Sequence, residues 1–261
     1  MDAVPFSLDL PGLRLAGARH GDTPRTVFIH GFGGSGGDWD RVWQALPDSF
    51  SALRYDQRGF GASVAFDDVP YSHTADLLAL LDARGIDRAD LIGLSQGGAV
   101  ALHFAMEHPE RVRRLVLISP ALFGWSWSDE WKAIWRAASG AARAGDMAAA
   151  RAHWLAHPMF AQALAGPAAG ELAASVNAFP GRQWVSDTPL PEAPDADRIA
   201  KLAAPMLLLT GGQDFSDFRG IAALLEAEAP DLRRIDFVAA GHLLNLEEPA
   251  ATAKEIAAFL G

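Results

Sequence analysis

The feature that most constrains the fold is the stretch Gly93–Gly98, with the sequence Gly-Leu-Ser-Gln-Gly-Gly, because it joins two apolar segments of different periodicity. The residues just before it, Asp90-Leu91-Ile92, predict the end of a short buried strand. The residues after it, 99–106, predict a helix that ends at His108, since a residue followed by proline avoids helical dihedral angles. A strand that turns directly into a helix is typical of a sheet with helices on its faces.

A Gly-x-Ser-x-Gly sequence at such a junction is typical of a sharp turn that points its central side chain, here Ser95, out of the carboxyl end of a sheet. The residues flanking the turn must be very small, which Gly93 and Gly97 satisfy. The helix that begins at Gln96 directs its unpaired N–H groups and the positive end of its dipole toward an anion beside Ser95. Ser95 is therefore a candidate nucleophile. The alternative is a glycine-rich turn in which the serine only caps the helix.

Two further polar residues follow predicted strands: Asp214 comes after the apolar run 205–210, and His242 comes after the run 234–238. The carboxyl ends of parallel strands share the edge of the sheet at which active sites form. A serine hydroxyl needs a base to take its proton, histidine suits that task near neutral pH, and a carboxylate on the second ring nitrogen holds the histidine in place. Ser95, Asp214 and His242 are thus a candidate catalytic triad, with Asp217 as the rival acid.

Composition argues against several other classes of function. The formal net charge is −10, which argues against nucleic acid and anionic membranes as partners because both require a basic face. The chain contains no cysteine, which excludes a thiol nucleophile, disulfides and cysteine-ligated zinc. The charge leaves a small-molecule substrate in a pocket open, and such a substrate, with neither a cofactor nor a metal, is what we expect.

Targeting and nucleotide-binding patterns are also missing. No apolar run reaches about 18 residues, so no transmembrane helix is predicted. The first residues lack the basic and apolar regions of a signal peptide, so a cytoplasmic location is expected by default. The glycine-rich loop 30–37 lacks the spacing of nucleotide-binding loops, so we expect it to bring a backbone N–H close to a reacting oxygen.

Strand-like and helix-like segments alternate along most of the chain, after an opening pair at 6–10 and 13–16 whose period of two predicts a hairpin. This order predicts the α/β class, a doubly wound and mostly parallel sheet covered by helices on both faces. Between Pro120 and about Arg198, strand patterns disappear and alanine, tryptophan and proline accumulate. We predict a core of residues 1–119 and 199–261, with residues 120–198 inserted as an all-helical lid.

Most of the eight tryptophans of the chain lie in the predicted lid. An aromatic lid beside a catalytic pocket makes an apolar substrate site. The candidate substrate-contacting residues are Trp125, Trp127, Trp131, Trp135 and Trp154. The alternative is that these rings form only the core of the lid itself.

Several segments together make the chain resemble the α/β-hydrolase fold superfamily, in the lidded group of small-molecule esterases, enol-lactonases and carbon–carbon bond hydrolases. These segments are 30–33, 56–63, 93–98, 211–214, and 241–242 with 248–249. The resemblance implies an oxyanion hole made by the N–H groups of Phe32 and Gln96. It also favours Asp214 over Asp217, because the acid of this family directly follows a glycine-containing turn. Leu243 departs from the tryptophan that often follows the histidine in the carbon–carbon hydrolases.

These residues predict a cofactor-independent serine hydrolase that cleaves an ester or lactone of a small, largely apolar substrate through an acyl-enzyme on Ser95. A carbon–carbon bond or enol-lactone hydrolase with the same triad is the alternative among enzymes. A ligand-binding protein built on a hydrolase scaffold is the alternative outside them. The physiological substrate and the oligomeric state are left open by the sequence.

Overall fold

The computed structural model of the protein describes residues 3–66 and 69–261. Nine strands of this part of the chain form one sheet. Their bounds are β1 Val4–Leu10, β2 Leu13–His20, β3 Thr26–Ile29, β4 Ala52–Tyr55, β5 Val64–Ala65, β6 Ala89–Leu94, β7 Val112–Ile118, β8 Met206–Gly211 and β9 Leu232–Phe237.

The strand order is β1-β2-β4-β3-β6-β7-β8-β9, with the short β5 paired to β2. Strands β4, β3, β6, β7, β8 and β9 run parallel, whereas β2 pairs antiparallel with both β1 and β4. The predicted hairpin is confirmed, and its register places Leu10 opposite Leu13 across the Pro11-Gly12 turn. The predicted α/β class with a mostly parallel sheet is confirmed as well.

Eleven α-helices belong to the described residues. Their bounds are α1 Asp40–Ala45, α2 His73–Ala83, α3 Gln96–Glu107, α4 Asp129–Arg143, α5 Met147–Leu155, α6 Ala161–Ala165, α7 Ala169–Ala178, α8 Arg182–Val185, α9 Ser216–Glu228, α10 Leu244–Glu247 and α11 Pro249–Leu260. Helices α2 and α3 pack together, and α1 packs against α11. No helix in residues 3–66 and 69–261 is both long enough and apolar enough to span a lipid bilayer.

The centre of the sheet is the most completely buried part of the molecule. Every residue of β3, β4, β6 and β8 is buried, because helices cover both faces of these parallel strands. The outer strands β1 and β9 instead mix exposed and half-buried residues. The central strands therefore carry their carboxyl-terminal loops on a rigid base.

One element differs from its prediction in kind. The sequence pattern predicts a single helix from Asp38 to Leu46, but the structure begins with a 3₁₀ turn at Gly36–Trp39 and continues as α1. Ser35 caps this turn by accepting from the Gly37 N–H, while the Asp38 carboxylate accepts from the Ser35 N–H in return. This reciprocal cap starts the helical turn two residues earlier than the apolar pattern indicates.

The segment between β7 and β8 contains helices α4 to α8, and its described residues form no strand of the sheet. Trp154 on α5 is 2% exposed and lies at the centre of this segment. Its ring contacts those of Trp131, Trp135 and Trp184, with centroid separations of 5.8, 6.0 and 6.1 Å. We call residues 120–198 the helical insertion from here on. These four tryptophans pack together and form its apolar centre.

Candidate active site

The turn after β6 holds Ser95 in a backbone conformation that few residues other than glycine adopt, with φ 53° and ψ −118°. A side chain at Gly93 would collide with the Gly97 carbonyl, and a side chain at Gly97 would collide with the carbonyls of Ile29 and His30. The flanking glycines are therefore required by close backbone approach, as the sequence pattern indicates. Strain of this kind is held in place by the surrounding packing and occurs mainly at functional sites.

The loop after β3 lies directly against the Ser95 turn, since a Cβ at Gly31 would be only 3.3 Å from the Ser95 Cβ. In the turns and loops of the described residues, neither the Phe32 N–H nor the Gln96 N–H donates to a backbone carbonyl. Gln96 is the first residue of α3, so its N–H has no acceptor within the helix either. Both N–H groups are thus available to a ligand beside Ser95.

His242 and Asp214 meet at the same edge of the sheet. His242 Nδ1 lies 3.0 Å from Asp214 Oδ2 and 3.1 Å from Oδ1, and both residues are buried. With Nδ1–H donating to the carboxylate, the other ring nitrogen, Nε2, carries a lone pair and has no hydrogen-bond partner in the described residues. Phe218 of α9 packs on the His242 ring at a centroid separation of 4.0 Å and fixes its orientation.

Asp217, the rival acid, lies in a different set of contacts. Its carboxylate accepts from the Trp125 Nε1–H at 3.0 Å, from the Ser128 N–H at 3.0 Å and from the Ser128 hydroxyl at 2.6 Å. Asp217 therefore ties the start of the helical insertion to α9. Its contacts are those of a structural anchor, while the carboxylate on His242 Nδ1 belongs to Asp214.

Glu247 is a residue near the site that the sequence analysis missed. Its carboxylate accepts from the Gly241 N–H at 2.5 Å and from the Leu243 N–H at 3.0 Å, one on each side of His242. Burial raises the pKa of Glu247, and these two hydrogen bonds oppose that rise in part. A glutamate five residues after a histidine is no known signal, so only the fold of the loop reveals this contact.

His30 supports the loop that carries Phe32. Its Nδ1 lies 2.7 Å from the Gly31 carbonyl, and its Nε2 accepts from the Gln57 N–H at 3.0 Å. Burial lowers the pKa of His30, which agrees with a neutral ring that donates through one nitrogen and accepts through the other. Both ring nitrogens are used in holding the backbone, so His30 has none left for substrate.

His157 of the helical insertion is buried next to the His242–Asp214 pair. Its Nδ1 accepts from the Met159 N–H at 3.1 Å, and its ring packs on Phe215 and Trp131 with centroid separations of 4.8 and 4.9 Å. Burial, together with the charge of His242, lowers the pKa of His157 to about 4. His157 is therefore neutral near pH 7 and adds no positive charge to the site.

Two cavities meet at Ser95. The larger has a volume of about 820 Å³ and extends from His242 toward Asp38, Arg41 and Glu171. The smaller has a volume of about 500 Å³ and is mostly apolar. The residues that line both cavities are Phe32, Ser95, Trp131 and Trp154. A molecule whose reacting bond lies at Ser95 thus has room on two sides.

The five tryptophans predicted to contact the substrate differ in which of the two cavities they line. Trp127 and Trp135 line the smaller cavity, while Trp131 and Trp154 line both. Trp125 is absent from the walls of both, because its ring lies against Gly220 and its N–H is bound by Asp217. Trp154 is at the same time buried core of the helical insertion. Wall and core are therefore not exclusive alternatives for these rings.

The donor set of the site contains no arrangement typical of a metal centre. No group of three or more histidine, aspartate and glutamate side chains is placed to hold a metal ion anywhere in residues 3–66 and 69–261. The polar groups at Ser95 are instead a hydroxyl, an imidazole, a carboxylate and two backbone N–H groups. Such a set supports attack on a carbonyl carbon and stabilisation of the resulting oxyanion.

A family model for the alpha/beta hydrolase fold matches residues 24–249. The chain belongs to the α/β hydrolase fold family. The resemblance drawn from the motifs is thereby confirmed, and so is the predicted class, a hydrolase with this fold.

The curated relatives include two proteins assigned as the carbamate hydrolase RutD. RutD of Klebsiella pneumoniae (strain 342) is 27% identical over 249 residues, which cover 90% of this chain and 91% of that protein. RutD of Caulobacter sp. (strain K31) is 36% identical over 111 residues, which cover 41% of this chain and 40% of that protein. The chain thus matches less than half the length of the second relative.

Solved structures with the same architecture include two enzymes that match almost end to end. A hydrolase from Pseudomonas aeruginosa PA01 has a TM-score of 0.82 at 27% identity, with 98% of each chain covered. The enol-lactonase from Burkholderia xenovorans LB400 has a TM-score of 0.80 at 25% identity, with 97% of this chain and 99% of that chain covered.

Proposed function

We propose that the protein hydrolyses a carboxylic ester or lactone of a small, largely apolar molecule through an acyl-enzyme on Ser95. The observation that supports the proposal is that three parts lie around the cavities that meet at Ser95, of which Phe32, Ser95 and His242 line the larger. The three parts are a strained serine turn, a His242–Asp214 pair with a free Nε2, and two unpaired N–H groups. Each part supplies a function that carbonyl attack requires.

The steps follow from these groups. Ser95 Oγ attacks the carbonyl carbon while His242 Nε2 takes the hydroxyl proton, and Asp214 stabilises the imidazolium that forms. The N–H groups of Phe32 and Gln96 donate to the oxyanion, an interaction of which one donor is typically worth ~10²–10³ in rate. The tetrahedral intermediate expels the alcohol, which receives the proton from His242. Water then attacks the acyl-enzyme with His242 again as the base, and the acid product leaves.

The walls of the two cavities support the substrate class. The smaller cavity offers aromatic faces from Trp127, Trp135 and Phe218 to an apolar group. The larger one ends among charged side chains, including the Arg41–Glu171 ion pair, in which Arg41 Nε lies 2.8 Å from Glu171 Oε2. We therefore assign the apolar part of the substrate to the smaller cavity and a more polar part to the larger one.

A carbamate or an enol-lactone is the second candidate for the bond that is cleaved. The RutD relative that spans nearly the whole chain favours the carbamate, and the enol-lactonase structure favours the lactone. Both reactions begin with addition to a carbonyl, so the same residues serve them in the same roles. The candidates differ in the groups bound to that carbonyl: a carbamate carries both a nitrogen and an oxygen on it, an enol-lactone releases an enol that stays attached to the acyl group, and an ester releases a free alcohol.

The test uses the purified enzyme with p-nitrophenyl butyrate, followed by mass spectrometry of the quenched protein. We expect turnover, and a mass increase of one butyryl group on the peptide that contains Ser95. Ser95→Ala is expected to lose both signals. Ser119→Ala is the matched control, because Ser119 also directly follows a strand, β7, and has a positive φ of 42°. Acylation of the Ser95→Ala variant at full rate would show that the nucleophile lies elsewhere.

Parallel rates on p-nitrophenyl N-alkylcarbamates and small lactones rank the candidate bonds. An enzyme that binds such molecules without acylation or turnover would instead support the alternative of a ligand-binding protein on this scaffold.

A further inference from the structure

A third cavity, of about 710 Å³, lies at the opposite edge of the sheet from Ser95. It is lined by residues that precede β3 and β6, by the start of β7, by β2 and by the end of α2. Strand β6 separates it from the serine turn, and six residues of strand span ~20 Å. The cavity is therefore a separate site from the one that contains the triad candidates.

Five arginines converge on this cavity, although the whole chain has a formal net charge of −10. They are Arg19, Arg25, Arg84, Arg88 and Arg113. The acidic residues of the lining are two, Asp22 and Asp87. Asp22 is fully exposed and its carboxylate lies 3.7 Å from Arg19, a distance and exposure at which an ion pair is weak. The wall of the cavity thus carries an excess of positive charge.

Two of the five guanidinium groups are oriented by neutral partners. Arg19 Nη1 donates to the Gly21 carbonyl at 2.5 Å, and Arg88 Nη2 donates to the Val112 carbonyl at 3.1 Å. Backbone carbonyls fix the direction of a guanidinium but leave its charge uncompensated. Arg113 differs, because it lies 3.5 Å from the buried carboxylate of Asp90.

Among these arginines, Arg84 would gain most from a bound anion. Its guanidinium lies over the Phe6 ring, 3.8 Å from the centroid, and its buried Nε has no hydrogen-bond partner among the described residues. Partial burial lowers the pKa of Arg84, and the nearby charge of Arg19 lowers it further. Two like charges held together without an anion are mutually unfavourable, so an anion between them would relieve the repulsion.

We propose that this cavity binds a small multivalent oxyanion of the phosphate type, such as a diphosphate or a phosphate ester. Planar guanidinium groups match phosphate oxygens in a two-point geometry, which a single lysine ammonium cannot provide. Phe6 adds an aromatic surface beside Arg84 for an attached apolar group. The site is independent of the proposed hydrolysis, since no residue of its wall belongs to the cavities at Ser95.

The test is calorimetric titration of the purified protein with inorganic pyrophosphate at constant ionic strength. We expect saturable binding of one pyrophosphate per chain. The double variant Arg19→Gln, Arg84→Gln is expected to bind at least about tenfold more weakly, because charged hydrogen bonds are lost. The control is Arg14→Gln, Arg233→Gln, which removes the same charge from two exposed arginines already paired with Asp9 and Glu255. This control is expected to bind within about twofold of the original protein.

Several outcomes overturn the proposal: no heat of binding at millimolar pyrophosphate, an equal loss in the control pair, or binding only to vesicles that contain anionic phospholipid. If the first double variant fails to fold by circular dichroism, Arg25→Gln, Arg88→Gln replaces it and must show the same weakening. Turnover of p-nitrophenyl butyrate is measured on every variant and is expected to stay unchanged. Loss of pyrophosphate binding with intact turnover, and the reverse, separate this site from the proposed hydrolase function.

Discussion

Asp214 and Asp217 are chemically identical and three residues apart, but their carboxylates contact different groups. The first contacts His242 Nδ1, and the second holds Trp125 and Ser128. Asp214→Asn is expected to lower kcat by ~10⁴, because an amide favours the wrong tautomer of the histidine. Asp217→Asn is expected to change kcat far less and to lower the unfolding temperature, since it weakens hydrogen bonds that are worth ~1.5–3 kcal/mol each to a charged group.

Steady-state rates and thermal unfolding of both variants make the check. A large loss of kcat in the Asp217 variant alone would move the acid to Asp217.

Glu247 is expected to act as a positioning residue through the backbone on both sides of His242. In Glu247→Gln the side chain keeps one acceptor oxygen for two N–H groups, so the loop loses one of its two restraints. We expect kcat to fall by up to about 10², as small misplacements of a catalytic group do, with KM nearly constant. The exposed neighbour Glu248→Gln is the matched control and is expected to keep the original kcat.

The pH dependence of kcat distinguishes this role from simple stabilisation. Because the pKa of Glu247 is raised, its carboxylate gains a proton at a higher pH than an ordinary glutamate, and it then loses acceptor capacity. The original enzyme is expected to lose activity on acidification through that raised pKa. The Gln variant is expected to lack the part of this acid limb that Glu247 contributes. An identical profile in both proteins would assign Glu247 a purely structural role.

At the scale of elements, the helical insertion both shapes the cavities and holds the loop after β3. The Phe32 ring contacts Trp135, Trp154 and Phe179 of the insertion, with centroid separations of 5.1, 5.3 and 5.3 Å. The N–H of Phe32 is one of the two proposed oxyanion donors. Changes in the insertion that touch Phe32 are therefore expected to alter rate as well as substrate preference.

Trp127 offers a way to test substrate preference alone, because its stacked partner is Trp131, at 4.2 Å between centroids, and its ring lines only the apolar cavity. Trp127→Ala is expected to change the ratio of rates on long-chain and short-chain esters several-fold, since apolar contacts of this size are worth ~1–3 kcal/mol. Activity on p-nitrophenyl acetate is expected to stay within about tenfold. Trp125→Phe, outside both cavities, is the control.

An unchanged ratio in Trp127→Ala would mean that the apolar cavity does not hold the variable part of the substrate.

At the scale of the whole molecule, the return from the helical insertion to the core is fastened to the helix that carries the serine turn. His103 of α3 is buried, with Nδ1 2.8 Å from Asp195 Oδ1 and Nε2 3.3 Å from Glu192 Oε2. Burial by itself lowers the pKa of His103. The hydrogen bond to Asp195 and the charges of Asp195, Glu192 and Glu107 outweigh it, so the pKa is raised overall.

This raised pKa predicts a pH-dependent stability. A histidine whose pKa is higher in the folded than in the unfolded state stabilises the fold fully below its unfolded pKa, about 6.5, and loses that contribution as the pH rises through the folded value. Urea unfolding of the original protein and of His103→Gln is expected to show a difference in free energy that shrinks as the pH rises above about 6.5. The exposed His153→Gln serves as the control. A difference that is constant or grows with pH would contradict the ion pair.

The sequence by itself determined the features that rest on local geometry and periodicity. The serine turn follows from Gly93 and Gly97, because any larger residue there meets backbone within a few positions or on the adjacent strand. The hairpin follows from alternation around Pro11-Gly12, and the parallel sheet follows from alternating strands and helices. These signals involve residues that are close together in the sequence, so they can be recognised in one sequence without the structure. Helices as short as α6, α8 and α10 escape them, since four or five residues are too few for a period to emerge.

The tertiary structure alone decided which distant side chains meet. Asp217 accepts from the Trp125 Nε1–H across 92 residues of sequence, and His103 contacts Asp195 across the same separation. Arg25 and Arg113 come to one cavity because β3 and β7 begin at the same edge of the sheet. Contact energies depend on distances in space, and no pattern of apolar residues along the chain encodes those distances for polar side chains.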